Sequence, residues 1–104
     1  MQDYALILTT TNDLQIAEKI ASLLLELDLA ACIQIDDVKS YFKWANKVAL
    51  EKEYRIVIKA KSSNYKKIEN KILEVHNYEL PQIIKINIDC GLQKYLEWIN
   101  QNCK

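Results

Sequence analysis

The chain of 104 residues contains one glycine, one proline and one histidine. A single glycine excludes a phosphate-cradling loop or a dinucleotide fingerprint, since both need several glycines at fixed spacing. So little glycine and proline also speaks against a loop-rich or disordered chain. With one histidine, no Ser-His-acid set can be read from the sequence, and no His/Cys cluster has catalytic spacing. No enzymatic class is therefore expected. Fourteen basic and fourteen acidic residues cancel, leaving no global field to attract nucleic acid or an anionic membrane. Apolar runs such as Leu23-Leu24-Leu25 are far too short to span a bilayer. Cys32, Cys90 and Cys103 are odd in number and lack Cys-x-x-Cys spacing, and the N-terminus lacks a charged head and cleavage site. Reduced thiols and a cytoplasmic location are the expectation.

What is present is half hydrophobic, enough for a single domain over 1–104 whose folding requires no disulfide or structural metal. Tyr4-Ala5-Leu6-Ile7-Leu8 is a short apolar run, as in a strand covered on both faces. Asn12, three residues before Gln15, predicts a capping-box start, followed by helical spacing of Ile16, Ala17, Ile20, Ala21, Leu24 and Leu27. From Ala31 the odd positions are apolar through Ile35, but from Val38 the even positions take over in Phe42 and Trp44. This reversal predicts a bulge or break at Asp36-Asp37, beyond which the chain leaves its own sheet. A turn at Ala45-Asn46-Lys47 leads into a second arm running to Lys59, making a hairpin that overhangs the shorter strands.

Ser62 or Ser63 can cap a second helix with the inner stripe Tyr65, Ile68, Ile72 and His76. Leu80 is held extended by Pro81, and from Ile84 apolar residues alternate with Lys85, Asn87 and Asp89, predicting a strand with one buried face. After Gly91, Leu92, Tyr95, Leu96, Ile99 and Cys103 form a third helical stripe. The order strand, helix, strand, strand, helix, strand, plus a terminal helix, is an α+β, ferredoxin-like sandwich. The sheet face without helices needs a cover, and another subunit is the natural one.

Several blocks in this order resemble the CutA family of divalent-cation tolerance proteins. They are Thr9-Thr10 with Asp13 and Ala17, Leu29-Ala30-Ala31-Cys32, Ser40-Tyr41 with Trp44, and Glu53 through Lys59. His76-x-Tyr78-Glu79-x-Pro81, Ile83-Ile84 and Gly91 with Tyr95-Leu96-x-Trp98-Ile99 complete the set. The resemblance implies a homotrimer, similar in architecture to PII signalling proteins, and a link to copper and other divalent metals. Asn46 stands where the family has glycine and Asn77 where it has proline; Thr9 and Val75 replace the cysteine and second histidine of some metal-binding members.

His76 and Cys32 are the candidate ligands for Cu or another divalent cation, against a packing role for each. Cys90, just before a helix start, is a candidate for a lowered thiol pKa. Tyr41, Trp44, Lys59, Tyr78 and Glu79 are candidates either for subunit contacts or for a cleft between subunits, with Lys59 meeting an anionic ligand and Glu79 a cation or amine. The expected function is a non-catalytic response to divalent metal ions, with weak copper binding. The alternative is a PII-like sensor of a small anionic molecule. Acylphosphatases and RNA-recognition domains share the fold class, but Thr9-Thr10-Thr11-Asn12 lacks the glycine-bounded arginine loop of the former. Glu53-Tyr54-Arg55-Ile56-Val57-Ile58-Lys59 lacks the glycine-aromatic signature of the latter.

Overall fold

The computed structural model describes residues 2–104. Strand β1 (Tyr4–Thr11) is followed by helix α1 (Leu14–Glu26), the hairpin β2 (Cys32–Trp44) and β3 (Lys47–Lys61), helix α2 (Tyr65–Val75), strand β4 (Ile83–Ile88) and helix α3 (Gln93–Gln101). The strands form one antiparallel sheet in the order β2-β3-β1-β4. No helix among the described residues is long and apolar enough to cross a membrane.

Local chemistry sets the element ends. Asp13, rather than Asn12, caps α1, its carboxylate accepting from the amides of Gln15 at 2.9 Å and Ile16 at 3.4 Å. Asn12 is drawn instead into a side-chain network described below. Asp28 ends α1 in the left-handed region, φ 57°, with Asp28 N–H donating to Leu25 O and Leu29 N–H to Leu24 O. These two bonds define a Schellman motif, sealed by two leucines that are both buried. Ser62–Asn64 form a single 3₁₀ turn before α2 without a side-chain cap bond. Asn64 instead donates to Leu29 O at 3.1 Å, tying the start of α2 to the end of α1.

Side chains alternate across a strand, and the register sorts them into two faces. Ile7, Ile58 and Ile33 share one row, as do Ile56 and Ile35. Ile7, Ile56, Ile58 and Ala60 join Ala17, Ile20, Leu24, Ile68 and Ile72 in the core beneath the helices. On the other face Leu6 lies beside Ile86, and Leu8 beside Ile84 and Val57. Ile84 and Ile86 remain 44% and 46% exposed. The alternation in β4 thus marks an apolar side, but not a buried one: among the described residues nothing covers it. Its polar side faces the helices at the sheet edge, where the Lys85 ammonium lies 5.9 Å from the Tyr65 ring centre.

The hairpin contains no bulge at Asp36-Asp37. β2 and β3 stay in continuous register from Cys32↔Lys59 to Trp44↔Lys47, and the Asp36–Arg55 ion pair at 2.8 Å spans the expected break. The sequence reversal has another cause. β1 ends opposite Tyr54, so beyond it the hairpin has left both β1 and the helices. On β2 the apolar residues Val38, Phe42 and Trp44 then lie on the side opposite to Ile33 and Ile35, while on β3 Val48 and Leu50 keep the side of Ile56 and Ile58, all in an unbroken ladder. The overhang gives the chain a long axis of 44 Å. Ala45 and Asn46, at φ 53° and 64°, make the two-residue reversal with positive φ at both positions, as a type I′ turn requires.

Candidate functional site

The passage from His76 to Gln82 folds back against the base of the overhanging hairpin. His76 is the C-cap of α2 in extended geometry, so its ring turns away from the last helical carbonyls and meets β1. Its Nε2 is 2.8 Å from Thr10 O, and its Nδ1 accepts from Tyr78 N–H at 3.0 Å. A carbonyl only accepts and an amide only donates, so Nε2 carries the proton and the ring is neutral. Burial pushes its pKa below the ordinary imidazole value, opposed in part by the Thr10 carbonyl and the Glu53 carboxylate. Both nitrogens are committed. A metal would have to displace one of these bonds.

Beside the histidine, the Thr11 hydroxyl donates to Asn77 Oδ1 at 2.6 Å, Asn77 Nδ2 to Asn12 Oδ1 at 2.8 Å, and Asn12 Nδ2 to Glu51 Oε1 at 2.9 Å. This chain of side-chain bonds joins the end of β1, the passage and β3. The Tyr78 ring, tilted 57° against His76 at 4.9 Å, directs its hydroxyl to Glu53 Oε2 at 2.7 Å. Burial and this bond to the carboxylate raise the phenol pKa well above its ordinary value. Together these elements enclose a cleft of about 950 Å³ between hairpin and passage.

The cleft brings together Tyr41, Trp44, Tyr78 and Glu79 of the sequence-derived set. Lys59 lies elsewhere in this chain: its ammonium sits 3.3 Å from the Tyr95 hydroxyl and 5.4 Å from that ring's centre. Sequence reasoning overlooked Ser40, Phe42, Glu51 and Glu53, which also line the cleft. The available signal was strand parity. Ser40 and Phe42 share the strand parity of Trp44, whereas Tyr41, which also borders the cleft, has the alternate parity.

His76 and Cys32 are not brought together as a pair of ligands. Cys32 is half-buried opposite Lys59 near the start of β1, whereas His76 contacts the far end of that strand. Among the described residues, no three His, Cys, Asp or Glu side chains converge on one point. Thr9 is fully buried beside Ile56 and Ile83 with its hydroxyl unpaired. The donor set within one chain therefore does not fit a metal centre. Cys90 is exposed and Cys103 buried, and burial raises the Cys103 thiol pKa.

These features define a class: an α+β domain with a four-stranded antiparallel sheet, three helices, an overhanging hairpin and a cleft at its base. The family model described as CutA1 divalent ion tolerance protein matches residues 5–102. The divalent-cation tolerance protein CutA of Archaeoglobus fulgidus is 36% identical over 92 residues, covering 88% of this chain and 90% of its own. A solved A. fulgidus CutA has a TM-score of 0.91 at 34% identity, over 95% of this chain and 97% of that one. CutA1 from the psychrotrophic bacterium Shewanella sp. SIB1 gives 0.91 at 39% identity, over 96% and 94%. The chain belongs to the CutA1 divalent ion tolerance family.

These relatives correct the cytoplasmic expectation. The A. fulgidus structure is of a periplasmic protein and an Arabidopsis relative is chloroplastic. The unpaired cysteines of this chain therefore do not assign it to the cytoplasm.

Proposed function

We propose that the protein acts without turnover in the response to divalent metal ions, as a homotrimer of ferredoxin-like subunits, and that any metal it binds is held between chains. One observation carries this reading: the apolar face of Leu6, Leu8, Val57, Ile84 and Ile86 has no cover among the described residues, while the hairpin projects past the end of β1. An uncovered apolar face of this kind marks an interaction surface. Sharing the site between subunits follows from the single histidine and the dispersed cysteines, because a closed site needs about four ligands and an open one about three. Trimeric symmetry would supply three copies of each donor. The PII-like alternative, with an anion at Lys59, gains no support within the chain, where Lys59 is engaged by Tyr95 and the cleft is lined by Glu51, Glu53 and Glu79.

The test combines light scattering with metal analysis of protein purified without chelator. The expected result is a mass three times the 12.1 kDa of the chain, weak saturable copper binding that falls in Cys32→Ser, and a melting temperature unmoved by chelation. A monomeric mass, or a tightly held metal in every chain whose removal unfolds the protein, would refute the reading.

A further inference from the structure

Beyond Tyr54, where the ladder with β1 ends, β2 and β3 pair only with each other. A two-stranded hairpin on its own is marginally stable in water, so the base of the overhang needs support from outside the ladder. Two side-chain bonds begin where β1 stops. The Tyr78 hydroxyl donates to Glu53 Oε2 at 2.7 Å, and Asn12 Nδ2 donates to Glu51 Oε1 at 2.9 Å. Glu53 and Glu51 are alternate residues of β3 just past Tyr54, so both bonds land on one face of the strand. The donors are themselves tied to the body. His76 Nε2 donates to Thr10 O at 2.8 Å while its Nδ1 accepts from Tyr78 N–H at 3.0 Å, and the Thr11 hydroxyl reaches Asn12 through Asn77. A continuous path of bonds thus runs from the end of β1, through the passage, to the overhanging part of β3.

We propose that the passage from His76 to Tyr78 is a clasp that fixes the attitude of the overhanging hairpin on the body of the chain, with Tyr78 as the principal positioning residue and Asn12 as the second. The two contacts differ in strength. Glu53 is only 8% exposed, and a hydrogen bond to a carboxylate gains strength when water is excluded, whereas the bond from Asn12 to Glu51 is exposed. Every bond of the clasp lies within one chain, so it operates whether or not another subunit covers the hairpin. The consequence is a pre-ordered arm. A surface already held in place loses less conformational freedom when a partner meets it, and the clasp supplies that order before any contact between chains.

Amide hydrogen exchange on the protein as purified separates a clasp from a general contribution to stability, because it reads local opening element by element. Tyr78→Phe removes the hydroxyl and keeps the ring. Exchange of the amides from Ser40 to Glu51 should accelerate by roughly tenfold or more, the scale of a hydrogen bond to a charged group, while β1, α1 and α2 stay near the parent rates. Adding Asn12→Ala should accelerate the same amides further. Tyr65→Phe is the control, since the Tyr65 hydroxyl also donates to a glutamate, Glu69 at 3.4 Å, but within α2; its hairpin should exchange as in the parent. Glu53→Gln keeps an acceptor for Tyr78 and should retain most of the protection that Glu53→Ala loses. Light scattering fixes the comparison at concentrations where parent and variants have the same mass, so that a change of assembly is not read as opening of the clasp. An overhang that exchanges at the parent rate in Tyr78→Phe, or an equal acceleration in every element, would overturn the proposal.

Discussion

Ile86→Lys tests the uncovered sheet face directly. Ile86 is 46% exposed in the single chain, and complete burial of an isoleucine contributes about 1.5–3 kcal/mol. Roughly 1 kcal/mol per copy therefore remains to be gained when a neighbour covers it. A lysine there forfeits this gain and, if enclosed, adds a desolvation cost of several kcal/mol per ion. The change occurs in every subunit, so its effect on assembly multiplies. Asn87→Lys supplies the control: Asn87 is exposed on the opposite side of β4, facing the helix layer at the sheet edge. A surface change there is expected within about 0.5 kcal/mol of the parent. Light scattering and urea unfolding at several protein concentrations should show Ile86→Lys dissociated and less stable, with Asn87→Lys matching the parent. If Ile86→Lys retains the parent's mass and its stability to within about 0.5 kcal/mol, the face is not an interface.

Two further outcomes follow from local geometry. Because the folded pKa of His76 is depressed, chiefly by burial, its neutral form contributes stability above the unfolded value near 6.5, and this is lost as pH falls through the lower folded pKa. His76→Gln should flatten that part of a melting-temperature profile; an unchanged slope would show that another group governs it. At Asp28, φ 57°, Asp28→Gly should preserve or raise stability by up to about 1 kcal/mol, and Asp28→Val should lower it by about 1–2 kcal/mol. Equal denaturation midpoints for these two variants would contradict the Schellman geometry.

The elements were legible where one local force decides them. Helical spacing from Ile16 to Leu27 anticipates α1, and Pro81 anticipates the start of β4 two residues later. Boundaries were less legible because neighbouring polar residues compete for the same task. Asn12 and Asp13 can each cap a helix; the structure gives the cap to Asp13 because Asn12 is held between Asn77 and Glu51, partners far away in sequence. His76 shows the same limit. Its position ends the apolar stripe of α2, but the groups that take its two nitrogens, Thr10 O and Tyr78 N–H, are set by tertiary placement.

The site was half legible for a different reason. The Asp36-Asp37 reversal correctly signalled that the surroundings of the hairpin change, but period-two logic equates a change of buried side with a break in the strand only when the same layer covers the whole length. Here the covering layer stops and the ladder continues, so β2 reverses its apolar side without a break while Val48 and Leu50 of β3 keep theirs. Carrying the parity of Trp44 backwards along β2 selects Phe42 and Ser40 in place of Tyr41, and crossing the ladder from Ser40 and Val38 reaches Glu51 and Glu53. The pattern could therefore have located the cleft-facing row. It could not have shown that Glu53 is largely buried with its carboxylate taking the Tyr78 hydroxyl, because that depends on where the passage before Pro81 places Tyr78. A charge that reads as a solvated hairpin residue is thus drawn into the cleft lining by a partner 25 residues away.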